Sequence, residues 1–241
     1  MIGTGVAELD EFLGGGIPKG KSLVFYIQPG VDGEAFGMQM AYNSLKNGGS
    51  CVLVVSSTIP DSIKSQFTDL SWDIQSFNDR FFCVDAYNPL ISAPSKEKYV
   101  VSSPDNIEEF NKIIMTIIKE LHPCTIVFGC LSTIMDLCGE KETIEAVKTW
   151  NKTAMLHDHN MVYNFTAWPY SEETLNIIER DLFNAVIAIC ETAERVVFGP
   201  YFRILKSDWV ENKRETIILP SPLSWELNHE SPDSLSSLGA K

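Results

Sequence analysis

The sequence predicts an α/β fold with a mainly parallel sheet, helices on both faces, and antiparallel strands closing one edge near the C-terminus. Three observations carry this. Short apolar runs alternate with longer segments of helical spacing between residues 21 and 190. The runs are continuously apolar rather than alternating, as in strands buried on both faces. After Cys190 the alternation stops and strand-like runs follow without intervening helical segments.

In chain order, "KSLVFYI" (Lys21–Ile27) is the first strand, and "EAFGMQMAYNSLKNG" follows as a helix stopped near Gly48. "CVLVVSS" (Cys51–Ser57) is a strand, and Pro60 opens the helix after it. "FFCVDA" (Phe81–Ala86) is the next strand. The stretch Asn88–Asn106, rich in Pro and Ser, reads as a long loop. Asp105 is the expected cap of a helix reaching about His122, with Ile107, Phe110, Ile114, Ile117 and Leu121 on one face. "CTIVFGC" is a strand, residues 140–158 a helix, and "MVYNFTAW" a strand. Ser171 opens a helix, and "NAVIAIC" is the last strand of the alternating series. "RVVFGPYFRILKS" and "RETIILPSPLSWEL" are expected as the antiparallel edge. Residues 1–227 form one domain, and the polar segment 228–241 a tail.

Composition narrows the function. The 241 residues include 19 basic and 32 acidic side chains, a net charge of −13. That balance repels polyanions and disfavours nucleic acid as a partner. No apolar run is long enough to span a bilayer, and the N-terminus lacks the regions of a signal peptide, so no membrane partner and a cytoplasmic location are expected. None of the six cysteines forms a C-x-x-C pair, and buried free thiols are expected. His157 and His159 have no third ligand nearby in sequence. They are expected at a solvated helix end, and no metal is expected. The aromatic group Trp168, Tyr170, Tyr201, Phe202, Trp209 and Trp225 is expected to pack in the core and along the edge strands. Asp85, at the carboxyl end of a strand, is assigned a structural role.

The stretch "LVFYIQPGVDGEAF" has the strand–turn–helix setting of a phosphate-binding loop, G-x-x-x-x-G-K-[ST]. In such a loop, glycines let backbone N–H groups wrap the phosphates, lysine neutralises their charge and the hydroxyl binds magnesium. Aligned on Gly33, with Gly30 inside the loop, the first glycine becomes Gln28. The lysine becomes Glu34 and the hydroxyl residue becomes Ala35. A unit charge about 4 Å from another is worth about 4 kcal/mol at an effective dielectric near 20. Glu34 therefore removes an attraction of that order and adds a comparable repulsion.

The flanking "TGVAELDEFLGGGIPKGKSLVFY" (Thr4–Tyr26) closely resembles the opening of the KaiC-like branch of the RecA superfamily, "TG-x-x-x-LD-x-x-LGGGIP-x-G". The likeness continues through "QMAYNSLKNGGSCVLVVS", "FFCVDAYNP" and "PCTIVFGCLSTI", ends in "FRILKSDW", and covers residues 2–226. It implies a RecA-like ATPase core of archaeal type that assembles into rings or filaments, with ATP between subunits. In that pattern "GGGIPKG" (Gly14–Gly20) is a turn into the first strand. The resemblance also says what each functional position should hold. The water-activating glutamates fall near "SSTIP", where Thr58 and Ile59 stand. The Walker B aspartate falls on Gly129. The "LK-x-R" element that reaches a neighbouring subunit's ATP keeps Lys206 but has Asp208 in place of arginine.

Phosphoryl transfer depends on positioning and electrostatics, so four such losses predict a protein without ATP hydrolysis, catalytic residues or cofactor. The leading expectation is a RecA/KaiC-like pseudo-ATPase working through protein contacts: with itself, with a KaiC-like paralogue, or with a peptide on the sheet edge. The alternative is a sensor binding a nucleotide or other small ligand in the altered cleft, where Asp32 and Glu34 would attract a cationic or hydroxylated group. A recombination or repair ATPase follows from superfamily analogy alone, and the acidic balance opposes it.

Overall fold

The computed structural model describes residues 1–31, 33–191, 200–211 and 216–218. Its strands are β1 (Ser22–Ile27), β2 (Cys51–Val55), β3 (Phe81–Asp85), β4 (Tyr99–Val100), β5 (Thr125–Phe128), β6 (Asn160–Thr166), β7 (Ala185–Glu191), β8 (Pro200–Ser207) and β9 (Thr216–Ile218). The helices are α1 (Ala7–Phe12), α2 (Glu34–Lys46), α3 (Pro60–Asp69), α4 (Ile107–Glu120), α5 (Leu131–Cys138), α6 (Glu140–Leu156) and α7 (Glu172–Arg180). One sheet runs in the order β4-β3-β2-β5-β6-β1-β7-β8-β9. Strands from β4 to β7 pair in parallel, while β7–β8 and β8–β9 are antiparallel. This is the predicted architecture.

The central strands feed both faces of the sheet, which is why their runs are continuously apolar. Phe25, Leu53, Val127 and Val162 pack with Leu9 of α1, Phe36 and Met40 of α2, and Phe67 of α3. Val24, Val54, Phe128 and Tyr163 pack on the other face with Ile114 of α4, Ile134 of α5, Trp150 of α6 and Ile178 of α7. Phe128 stacks between Trp150 and Tyr163, at centroid distances of 5.2 and 4.6 Å.

Several boundaries differ from expectation. β2 ends at Val55, before the two serines. The Asn88–Asn106 loop contains β4, which pairs in parallel with β3 at two positions and forms the sheet edge. The cap of α4 is Asn106 rather than Asp105: its side chain accepts from the Glu108 N–H, and the helix ends one residue before Leu121. Ser171 does cap α7, accepting from the Thr174 N–H at 3.1 Å. α1 and α5 were not anticipated. α5 follows β5 so closely that its apolar residues prolong the strand's own run.

The expected strands at 195–207 and 214–227 appear as β8 and β9, and their remaining residues lie outside the described ones. So do Trp225, the side chain of Tyr201, the 227/228 boundary and the tail. Among the described residues no helix is long and apolar enough to cross a membrane.

Candidate functional site

The N-terminal glycine-rich segment is structural. Asp10 Oδ1 accepts from the Thr4 N–H and hydroxyl at 2.5 and 2.8 Å, tying the chain before α1 to the helix itself. Gly16 has φ +112°, and a Cβ there would stand 2.4 Å from the Ile2 carbonyl oxygen. These contacts join the Thr4, Asp10 and Gly16 positions of the motif into a single packed turn ahead of β1.

The loop of interest begins where β1 ends. The Gln28 N–H donates to the Ile189 carbonyl at 2.9 Å, and the Val31 N–H turns back to the Gln28 carbonyl at 3.1 Å. Gln28 and Gly30 are exposed, and Gly30 has φ +87°. Gly33 caps α2 and is held tightly: a Cβ on it would lie 2.6 Å from Ile27 Cδ1. Glu34 opens α2 in exposed position, and Ala35 is half-buried behind it. Asp32 lies outside the described residues. A helix N-terminus favours a carboxylate, so Glu34 stabilises α2 while placing negative charge at the loop.

Gly129 directly follows β5, beside this helix. Its N–H donates to the Val54 carbonyl at 2.9 Å, and a Cβ would come within 3.2 Å of that oxygen. A small cleft separates α2 from the ends of β2, β5 and β6. It is lined by Glu34, Ser57, Gly129 and Asn164, with Met38 and Val127 among its apolar walls. Its room is about 10 Å³, roughly one water. Glu34 and Gly129 therefore line one cleft. Thr58 is half-buried just past β2, but Ser57 rather than Thr58 lines the cleft.

The residue that sequence reasoning missed is Asn164. Its Nδ2 donates to the Glu34 carbonyl and to the Gly129 carbonyl, both at 3.2 Å, so one amide links α2 to β5. A polar residue within the apolar run "MVYNFTAW", on the same strand face as Val162, was the available signal.

Lys206 and Asp208 lie at the other end of the sheet. Lys206 pairs with Val186 near the start of β7, whereas Ile27 pairs with Ile189 near its end. The Lys206 ammonium donates to the Arg180 and Phe183 carbonyls at 2.8 and 2.7 Å and lies 3.7 Å from Asp208. Asp208 also accepts from Asn184 Nδ2 at 2.8 Å. Both side chains are engaged within their own subunit.

The histidine pair splits. His157 is exposed, as expected, but His159 is buried between α4 and β5, correcting its expected solvated position. Its Nδ1 accepts from the Cys124 N–H at 3.2 Å, and its Nε2 lies 3.0 Å from the Ile118 carbonyl. Those partners assign the proton to Nε2. Burial pulls its pKa below the ordinary 6.5. Among the described residues no three His, Cys, Asp or Glu side chains gather as a metal site.

Cys51, Cys83 and Cys124 are buried free thiols, and burial pushes Cys83 and Cys124 up to about 12. Cys190 is only half-buried. Phe202 is core, and Trp209 donates to the Leu13 carbonyl at 3.1 Å. Trp168 departs from the expected packing and is 68% exposed. Asp85 is fully buried and accepts four hydrogen bonds, from the Tyr87 and Asn88 N–H groups, Asn88 Nδ2 and the Ser95 hydroxyl.

Comparison with known proteins agrees with this fold. Residues 2–156 match the family model described as "ATPase: KaiC". UPF0273 proteins of Saccharolobus solfataricus and Pyrobaculum aerophilum are each 30% identical, over 55% and 54% of this chain and 49% and 47% of their own lengths. A UPF0273 protein of Thermotoga maritima is 27% identical over 55% of this chain and 56% of its own. The chain thus spans about half the length of the curated relatives it matches. The crystal structure of a KaiC-like protein from Pyrococcus horikoshii superposes with a TM-score of 0.72 at 16% identity, covering 91% of this chain and 98% of that one. With a RecA-like sheet, a β1–α2 loop in the phosphate-loop position and a family model spanning residues 2–156, the chain belongs to the KaiC ATPase family.

Proposed function

We propose that this chain is a non-catalytic member of the family, a pseudo-ATPase that acts through protein contacts. The observation that carries the reading is the placement of Glu34 and Gly129 on one cleft, with Ala35 next to Glu34 at the start of α2. The positions that would supply phosphate-neutralising charge, a magnesium-binding hydroxyl and a metal-supporting carboxylate hold a carboxylate, a methyl group and a glycine. Asn164 supports the same reading, because its amide ties Glu34 to Gly129 by hydrogen bonds across the cleft. Lys206, held on the Arg180 and Phe183 carbonyls, is spent on its own subunit. Phosphoryl transfer without charge, metal or water activation has little left to accelerate it. The partner is a second copy, a KaiC-like paralogue or a peptide added to a sheet edge.

Calorimetric titration with MgATP, together with a phosphate-release assay, tests this. The expected result is no micromolar binding and no turnover. Hydrolysis above the buffer rate would sink the proposal. A Glu34→Lys, Ala35→Thr double variant is expected to remain inactive, because Gly129 and the Thr58 region still lack carboxylates.

A second reading, a sensor of a small ligand in the altered cleft, is favoured by one observation: three polar residues, Glu34, Ser57 and Asn164, among its otherwise apolar walls. Titration with nucleosides and with ADP lacking magnesium distinguishes it, since a sensor of that kind binds without needing the metal.

A further inference from the structure

Trp168 stands where the chain leaves β6, and it is 68% exposed, whereas Trp72 and Trp150 are buried. The exposed indole sits on fixed backbone. The Ala167 N–H donates to the Ile27 carbonyl at 2.9 Å, and the Trp168 N–H turns back to the Thr166 carbonyl at 2.9 Å. Just beyond, the Tyr170 hydroxyl donates to the Ser132 carbonyl at 3.0 Å and to Asp136 Oδ1 at 2.9 Å, and its ring packs on Phe165. A large aromatic side chain held rigidly in solvent is the usual anchor of a protein interface, because little entropy is lost when it is covered. Ile27 pairs with Thr166, so the two strands leave the sheet side by side, and Pro29 and Pro169 are exposed next to them.

The charge around this anchor has one sign. The segments that meet here, residues 28–33, α5 and residues 166–179, contain no Lys or Arg. Asp136, Glu172 and Glu173 are exposed, and no described basic side chain forms an ion pair with them. Glu172 and Glu173 suit the first turn of α7, where the helix dipole favours them. Asp136 has no such reason. It stands in the last turn of α5, where the dipole disfavours a carboxylate.

We propose that Trp168, flanked by Asp136, Glu172 and Glu173, is the docking surface for an arginine-bearing segment of a partner protein. A guanidinium stacks on the indole face while its N–H groups reach carboxylates beside it, a combination that lysine matches less well. Charge complementarity selects the occupant. A second copy carries the same acidic rim, so a two-fold contact on this face would set acid against acid. Nucleic acid would be repelled by it. The inference names the partner class for the protein contacts proposed above and rests on that reading.

Fluorescence anisotropy of a labelled peptide of alternating arginine and glycine, titrated with the full chain at constant ionic strength, tests it. The expected result is saturable binding, weaker for the lysine–glycine counterpart. Trp168→Ala should weaken binding about tenfold, and Trp168→Phe should retain most of it. Should Trp168→Ala fold poorly, the Glu172→Gln, Glu173→Gln pair reads the same surface and should also weaken binding. Asp79→Asn removes an exposed acid at the other end of the sheet, ahead of β3, and should leave binding unchanged. No saturable binding, or equal affinity in wild type and Trp168→Ala, would overturn the surface. An equal loss in Asp79→Asn would reduce the attraction to overall charge and also overturn it. Adenosine binding that Trp168→Ala abolishes would assign the indole to a nucleobase instead. A phosphate-release assay on the same samples separates the two claims. Turnover alongside peptide binding defeats the non-catalytic reading and leaves the surface standing, whereas no turnover and no peptide binding defeats the surface alone.

Discussion

Asn164 leans directly on Gly37 of α2: a Cβ built on Gly37 would stand 2.7 Å from Asn164 Nδ2. That distance explains a glycine in the interior of a helix, where it sacrifices about 1 kcal/mol of propensity relative to alanine. Gly37→Ala regains that propensity but crowds a short, doubly hydrogen-bonded side chain and sets the new methyl 3.1 Å from Val127 Cγ1. Overpacking of this kind destabilises by about 1–3 kcal/mol, so the expected net loss is about 1 kcal/mol. Urea denaturation checks the sign. A stabilised variant would show that Asn164 moves freely.

Asp85 closes the turn after β3 with four accepted hydrogen bonds. Asp85→Ala leaves two N–H groups and two side-chain donors without their acceptor. Hydrogen bonds to a charged group contribute about 1.5–3 kcal/mol each and are not additive, so a loss of about 3 kcal/mol is expected in chemical denaturation. Asp85→Asn should lose less, since the amide retains one oxygen.

Lys206 satisfies the Arg180 carbonyl at the end of α7 and the Phe183 carbonyl just beyond it. Cations at a helix C-terminus contribute about 0.3–1 kcal/mol, more where partly buried. Lys206→Met is expected to lower stability by about 1 kcal/mol in the monomeric or assembled protein alike. If mixing the variant with a KaiC-like partner changed that partner's ATP turnover, Lys206 would be acting across an interface instead.

His159 gives the stability a pH dependence of known sign. Its folded pKa is depressed by burial below the ordinary 6.5. The unfolded chain therefore binds the proton first as pH falls, and stability rises with pH across that window. The contribution is complete above pH 6.5 and is lost as the pH drops through the lowered folded value. Tm measured between pH 7.5 and about 5 should fall, and the slope should flatten in His159→Gln, whatever that variant's absolute Tm.

Much of this was legible because it is local. Continuous apolar runs between helical segments predict doubly buried parallel strands, and the sheet contains them. Ser171 capping α7 was also readable, since the cap and its target are three residues apart. β4 was not, because two residues become a strand only by pairing with β3. Asn106 displaced Asp105 as the α4 cap by a single position, a choice made by backbone geometry rather than side-chain type. His159 looked like a helix-end residue in sequence, and only the approach of Cys124 and Ile118 buries it.

By itself, the sequence determined the alternation of the main strands and helices, the place of the β1–α2 loop, and the residue types that stand at Glu34, Ala35 and Gly129. Periodicity and residue type are properties of neighbouring positions, so no folding is needed to read them. Tertiary structure alone decided what stands in the cleft and where Lys206 points. Asn164 meets Glu34 across 130 residues and Gly129 across 35, and Lys206 meets Phe183 across 23. Contacts over such separations arise only when the β6 and β8 strands find their neighbours, because burial and hydrogen-bond satisfaction are settled by the whole sheet.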